Sequence, residues 1–269
     1  MVFGSAAAIY IPTFYRLFSY GWKFADYSQG PLVLLAFLWL LWRQRRVLRM
    51  PADGGAHPFF LLFLALGLFA YVFGARERAI TIESASMVPV LIGAVGFMSG
   101  GEAARGILFP ALFLLFLVPP PLFMIDMLTS PLKNMVTAAS AVFLRDIGYA
   151  ADRDGVLLNI GDYTLVVGDA CSGMRSLVSL MSVGALYSYV QKMPGSKRVL
   201  LFLSVLPISV AANTARLVAL ALITYYFGES AGQGFFHEFS GFFLFVVAVS
   251  CMFALEAAMT RGRKAGYAH

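Results

Sequence analysis

The stretch "PFFLLFLALGLFAYVFGA" (58–75) runs eighteen residues without a charged side chain. As a helix it would reach roughly 27 Å, close to the ~30 Å of a bilayer's hydrocarbon core. Apolar stretches able to cross, or nearly cross, that core recur at 2–20, 27–42, 79–99, 107–125, 174–191, 198–226 and 239–259. Together they predict an all-α polytopic membrane protein of about eight transmembrane helices. The first stretch is interrupted by Pro12 and Arg16, which also suits a helix at the interface, and the second is short. Composition agrees: the 269-residue chain is 60% hydrophobic and 13% charged, against about 45–50% and 25% in soluble domains. No polar linker divides it, so one integral-membrane domain over 1–269 is expected.

Several classes are disfavoured at once. A net charge of +6 on this apolar background reads as basic cytoplasmic loops rather than a nucleic-acid surface. Two cysteines, Cys171 and Cys251, make no disulfide framework. Residues 1–20 lack a basic leader and a small-residue cleavage site and read as a retained helix. No His-Glu-x-x-His motif is present, and no metal or cofactor is implied.

Lysine and arginine orient the spans. Arg43, Arg45, Arg46 and Arg49 follow the second; Lys192, Lys197 and Arg198 separate the sixth and seventh; Arg261, Arg263 and Lys264 follow the last. With Arg105, all fall on one side, which the positive-inside rule makes cytoplasmic. Both termini then lie inside. The segments 20–27, 75–79, 126–173 and 227–238 face out.

The long outer segment holds two expected elements. "LTSPLKNMVTAASAVFLRDIG" (128–148) has the spacing of an amphipathic helix lying on the outer surface; a buried half-helix is the alternative. "GVLLNIGDYTLVVGD" (155–169) places Gly161-Asp162 between two β-prone runs, as in a type II′ hairpin before the sixth span. Its exit, Gly168–Ala170, would aim Cys171.

Three polar features fall on that outer face. "GDACSGMRSL" (168–177) puts Cys171 just before a helix, with Ser172 and Gly173 able to cap it and Arg175 four residues on. A helix N-terminus and a nearby cation lower a thiol's pKa. "ANTARLVAL" (212–220) sets Asn213 and Arg216 one turn apart, and an intramembrane arginine is costly unless paired or wetted. A structural pair with Asn213 or Glu83 is the plain alternative. "GFFHEFSG" (234–241) places His237 before the last span, where imidazole suits general-base work. A lone Cys is more often a small packing residue, the reading given to Cys251. Together Cys171, His237 and Arg216 outline thiol acyl transfer, with thiolate attack, proton shuttling and oxyanion stabilisation.

At these residues the sequence resembles the exosortase/archaeosortase family of multi-pass membrane cysteine transpeptidases. The resemblance rests on "ACSGMRSL" (170–177), "ANTAR" (212–216) and "HEFSG" (237–241), with weaker likeness in "DYSQG" (26–30) and "FPALFLLFLVPPPLF" (109–123). It implies that Cys171 is the nucleophile and that Arg216 and His237 are its partners, with Arg175, Asn213 and Ser172 in support. Gln29 stands where the family usually has His, which leaves it a substrate-contact role. The implied substrates are exported proteins carrying a C-terminal Pro-Glu-Pro-type signal, a transmembrane helix and a basic tail. The implied setting is a bacterial inner membrane, often in an exopolysaccharide producer, with the site facing the periplasm. A second class stays open: a transporter or scaffold for polysaccharide export, with Arg216, Glu83 and Asn213 lining a polar path. The acceptor, the groove for the substrate helix and the oligomeric state are not readable from the residues.

Overall fold

A computed structural model describes residues 8–22, 29–45, 58–166, 174–191, 193–228 and 235–264, with backbone alone at 20–21, 122, 126, 128, 174–176, 235–244 and 261–264. The chain is mostly helical and forms two compact units, Met1–Pro121 and Leu122–His269.

The first unit begins with α1 (Ile11–Arg16), which runs into a π-type turn at Leu17–Gly21. Then come α2 (Gly30–Arg43), α3 (Pro58–Arg76), α4 (Ile80–Ala85) and α5 (Met87–Phe113), which passes into a tight turn of helix at Leu114–Leu117. Glycines bring α3 and α5 together: Gly67 lies against Val90, Gly93 against Leu64 and Gly96 against Phe60. The pairs count up on one helix and down on the other, so the two are antiparallel and close-packed in the manner of membrane helices. Gly100 breaks α5 at φ 85°, ψ 177°, a conformation open to glycine alone. The chain reverses there, because Leu91 and Val95 before the break share a cluster with Ala103 and Ile107 after it. The stretch expected at 79–99 lies before the break; of the one expected at 107–125, the part through Leu117 forms the arm after it, and Leu122 onward belongs to the next helix.

Polar groups tie α1 into the first unit. Glu83 is fully buried on α4, and its Oε1 accepts from Thr13 Oγ1 at 2.6 Å and Arg16 Nη2 at 2.6 Å. Tyr10 Oη and Ser86 Oγ share a hydrogen bond at 2.8 Å. The described part of the first stretch is therefore packed in protein at Tyr10, Thr13 and Leu17, and Arg16 has a carboxylate partner.

The second unit holds α6 (Leu122–Asp146), β1 (Ala151–Asp154), β2 (Leu157–Ile160), β3 (Tyr163–Val166), α7 (Met174–Val190), α8 (Gly195–Leu203), α9 (Val205–Phe227) and α10 (Phe235–Lys264). The segment expected as a surface amphipathic helix is α6, and its buried face packs on α9. Val136, Ala141 and Leu144 join Leu217, Val218 and Ala221 in one core, and Ser140 Oγ reaches Thr214 O at 3.4 Å. Part of its apolar stripe is thus buried against protein, while Phe123, Met127, Met135, Val142 and Phe143 remain exposed. Pro207, near the start of α9, lacks the N–H that would continue the ladder from α8, and the helix is broken at Ser204.

The expected hairpin is present, and it is part of a three-stranded antiparallel sheet in the order β1-β2-β3. Ile160 pairs with Tyr163 across Gly161-Asp162, and Gly161 has φ +55°. Asp162 has no positive φ, so the turn carries its one left-handed residue first, as type II′ requires. A second turn of the same kind, Gly155-Val156 with Gly155 at φ +59°, adds β1.

Among the described residues, three helical stretches are long and apolar enough to cross a membrane: Pro58–Arg76, Ile80–Leu117 and Gly195–Phe227. Gly30–Arg43, Leu177–Val190 and Phe245–Thr260 are shorter apolar helices. Fourteen residues of α2 reach about 21 Å, less than the hydrocarbon thickness.

Candidate functional site

Helices α7, α9 and α10 meet at one level. A Cβ on Gly184 of α7 would stand 2.6 Å from Val205 Cγ2 on α9 and 3.2 Å from Met252 Cε on α10. Leu180, Val205, Ala248 and Met252 form a buried cluster, with Met181, Ile208, Ala212, Phe245 and Val249 packed against it. Numbers fall along α7 and α10 as they rise along α9, so the middle helix is antiparallel to the other two. In the opposite direction from this level, Tyr187 Oη donates to Glu256 Oε2 at 3.4 Å and Lys197 Nζ to Met259 O at 2.6 Å.

Helix rise carries the count to the other end. Arg175 lies nine residues from Gly184, about 13 Å up α7; Asn213 and Arg216 lie eight and eleven residues from Val205, about 12 and 16 Å up α9; His237 lies fifteen residues from Met252, about 22 Å up α10. The backbone thus puts Arg175, Asn213, Arg216 and His237 on the same side of that layer. The side chains of Arg175 and His237 lie outside the described residues, and so do Cys171 and Ser172 altogether. Chain length alone holds the Cys171 Cα within about 11 Å of Met174, the first residue of α7.

The sheet lies farther along α9 in the same direction. Tyr225, near the last turn of α9, lies under Gly161, where a Cβ would meet its Cε2 at 3.0 Å. Tyr149, just past α6, shares a 2.6 Å hydroxyl contact with Tyr226, and this contact raises the Tyr149 pKa above its ordinary value. Tyrosine rings with apolar bodies and polar tips suit the boundary between a bilayer and water. Both β3, ending at Val166, and α7, starting at Met174, pack on α9. The segment 167–173 therefore connects two elements held by the helix that carries Arg216.

Arg216 is half-buried and has an interaction partner. Asn213 is 1% exposed; its Nδ2 donates to Ser209 O at 2.8 Å and contacts Ser209 Oγ at 3.3 Å, while Oδ1 has no partner among the described residues. Because the Ser209 carbonyl can only accept, the amide orientation is fixed and Oδ1 is an acceptor awaiting a donor. Ser209 is a participant the sequence reading missed, although its place one turn before Asn213 on the same face was the available signal. Beside these residues, α6 and α9 enclose an apolar groove of about 1020 Å³ lined by Met135, Ala139, Phe143, Ala211, Ala215 and Ala219 among others. Cys251 is exposed on α10, which corrects its expected place as a packing residue.

The described residues define a helical protein with apolar helices long enough to cross a membrane, in which the backbones of Arg175, Asn213, Arg216 and His237 lie on one side of the Gly184 layer. The family model for transmembrane exosortases matches residues 22–254, and the chain belongs to that family. Membership supports a membrane transpeptidase in general terms. No curated protein and no solved structure was found to match the chain.

Proposed function

We propose that the chain is a membrane cysteine transpeptidase that cleaves the C-terminal sorting signal of exported proteins through a thioester at Cys171. The observation that carries this reading is the shared direction along the helices. From the layer of Gly184, Val205 and Met252, Arg216 is eleven residues away, Cys171 thirteen and His237 fifteen. The backbones of Arg216 and His237 lie about 16 and 22 Å from that layer in the same direction, and Cys171 precedes Met174, the first residue of α7, by three positions in the chain.

In the proposed reaction the Cys171 thiolate attacks the scissile carbonyl carbon, and the developing oxyanion is stabilised by the Arg216 guanidinium. The tetrahedral intermediate collapses, the C–N bond breaks, and the departing amine takes a proton from the His237 imidazolium. Water or an acceptor amine then attacks the thioester, losing its proton to His237, and the thiolate leaves. The substrates are proteins with a Pro-Glu-Pro-type signal and a transmembrane helix, in a bacterial inner membrane, with the site on the periplasmic face. The transporter alternative needs Glu83 on a polar path; one oxygen of that carboxylate is engaged by Thr13 and Arg16 inside its own unit.

The test is processing of a cognate substrate in cells. Cys171→Ala should abolish cleavage while the protein still inserts, and mass spectrometry of the wild-type product's new C-terminus should identify water or an amine as acceptor. Wild-type processing by Cys171→Ala would overturn the assignment.

A further inference from the structure

The first unit carries an unfilled hydrogen-bonding set at the start of α2. Gln29 is the residue before that helix and is 7% exposed. Its backbone carbonyl accepts from Val33 N at 3.0 Å, but its side chain makes no capping bond. Both amide atoms, Nε2 and Oε1, are without a partner among the described residues, and so is Trp22 Nε1. The two residues are adjacent in space: a Cβ on Gly30 would collide with Trp22 Cε2, Nε1 and Cδ1, so the indole lies flat on the Gly30 backbone. The indole Nε1 packed on Gly30 and the carboxamide of Gln29, the residue before it, are thus buried and unmet at the start of α2, each such group at a cost of about 1–3 kcal/mol. Packing alone does not call for a polar group at 29, since a Met there would fill much the same space without that cost.

We infer that Trp22 and Gln29 form a subsite for an extended peptide backbone. A primary amide presents one donor and one acceptor side by side, the complement of a peptide group's C=O and N–H, and this holds whichever way the Gln29 amide is turned. The indole N–H supplies a third bond to a neighbouring carbonyl. Neutral partners select for backbone rather than for a charged side chain, which suits a protein that takes many substrates by one short signal. The subsite rests on the transpeptidase reading for its peptide. Under the charge rule it faces out, at the opposite end of α2 from Arg43.

The experiment measures binding, not turnover. The probe is a blocked synthetic peptide containing Pro-Glu-Pro, titrated onto the full-length Cys171→Ala protein in detergent. Gln29→Met and Trp22→Phe, each made in that background, should weaken binding about tenfold. The thermal midpoint of Gln29→Met should hold or rise, because it removes a buried unmet amide. Replacing single backbone N–H groups of the peptide by ester oxygens should locate one whose loss weakens binding to the parent and not to Gln29→Met. Unchanged affinity in both variants, or ester effects identical in parent and Gln29→Met, would overturn the subsite. Gln29-dependent binding by a protein whose Cys171 form cleaves nothing would instead sink the catalytic reading and keep the subsite.

Discussion

Arg216 and Arg16 show how differently a membrane protein can use the same side chain. Arg16 is 32% exposed and closes on the buried Glu83 at 2.6 Å, pinning α1 to α4. Glu83→Leu should strand that guanidinium and Thr13 Oγ1 and lower stability by about 2 kcal/mol, read as a drop in thermal midpoint in detergent. The double change with Arg16→Met should recover part of the loss, since no charge is then left unpaired. Arg216, by contrast, is proposed to meet charge that appears during the reaction. Arg216→Ala should reduce processing at least a hundredfold, and Arg216→Lys should be nearly as poor, because an ammonium lacks the planar fork. Near-wild-type rates with lysine would reduce the role to a point charge. The thiol has its own signature. In a Cys251→Ala background, which removes the exposed second thiol, Cys171 should react with a maleimide faster than a free thiol. It should keep reacting as pH falls below ~8.5, because a lowered pKa leaves thiolate present there. A rate that falls with the ordinary thiol titration would contradict the activated nucleophile.

At the scale of elements, the layer of Gly184, Val205 and Met252 sets the height of everything above it. Gly184→Val would drive a branched side chain into Val205 Cγ2, 2.6 Å from the first added carbon. Helix α7 must then shift against α9, carrying Arg175 and the entry to 167–173 with it. Overpacking of this kind costs about 1–3 kcal/mol, and misplacing reacting groups by about 1 Å can cost a hundredfold in rate. Gly184→Val should therefore lose most processing while it still folds, and Gly184→Ala should lose less. Equal activity in both would show that the layer does not register the site. Long uncharged runs such as 58–75 and the Gly161-Asp162 turn were legible in the sequence, because hydrophobic length and a glycine-first turn are local signals. β1 was not: "ADRD" has little β propensity and is a strand only because the edge of β2 accepts it. The packing of α6 on α9 was hidden for a related reason, since an amphipathic stripe reads the same whether it meets lipid or protein. The Arg16–Glu83 pair spans 67 residues, and nothing local marks either as the other's partner. Gln29 was visible as a departure from a family pattern, but its unmet amide and the indole beside it needed coordinates.

Across the second unit, the polar groups sort by end. Lys197 and the last turns of α10 lie together at one end, where Lys197 Nζ donates to Met259 O at 2.6 Å. The three tyrosines, the sheet and the backbone of Arg216 and His237 lie toward the other. The positive-inside rule assigns the first end to the cytoplasm, which is where the proposed chemistry cannot be if its substrates are exported proteins. Orientation and mechanism are therefore one claim, open to a single labelling experiment. Ser196, exposed beside the start of α8, and Asp154, exposed at the end of β1, mark the two ends without touching the site. With Cys171 and Cys251 both changed to Ala, Asp154→Cys should react with a membrane-impermeant maleimide on spheroplasts. Ser196→Cys should react only in inverted vesicles. Labelling of both from one side would mean that α7, which lies between them in the chain, does not cross the membrane. The reverse pattern would put Cys171 on the cytoplasmic face and leave an exported signal out of its reach.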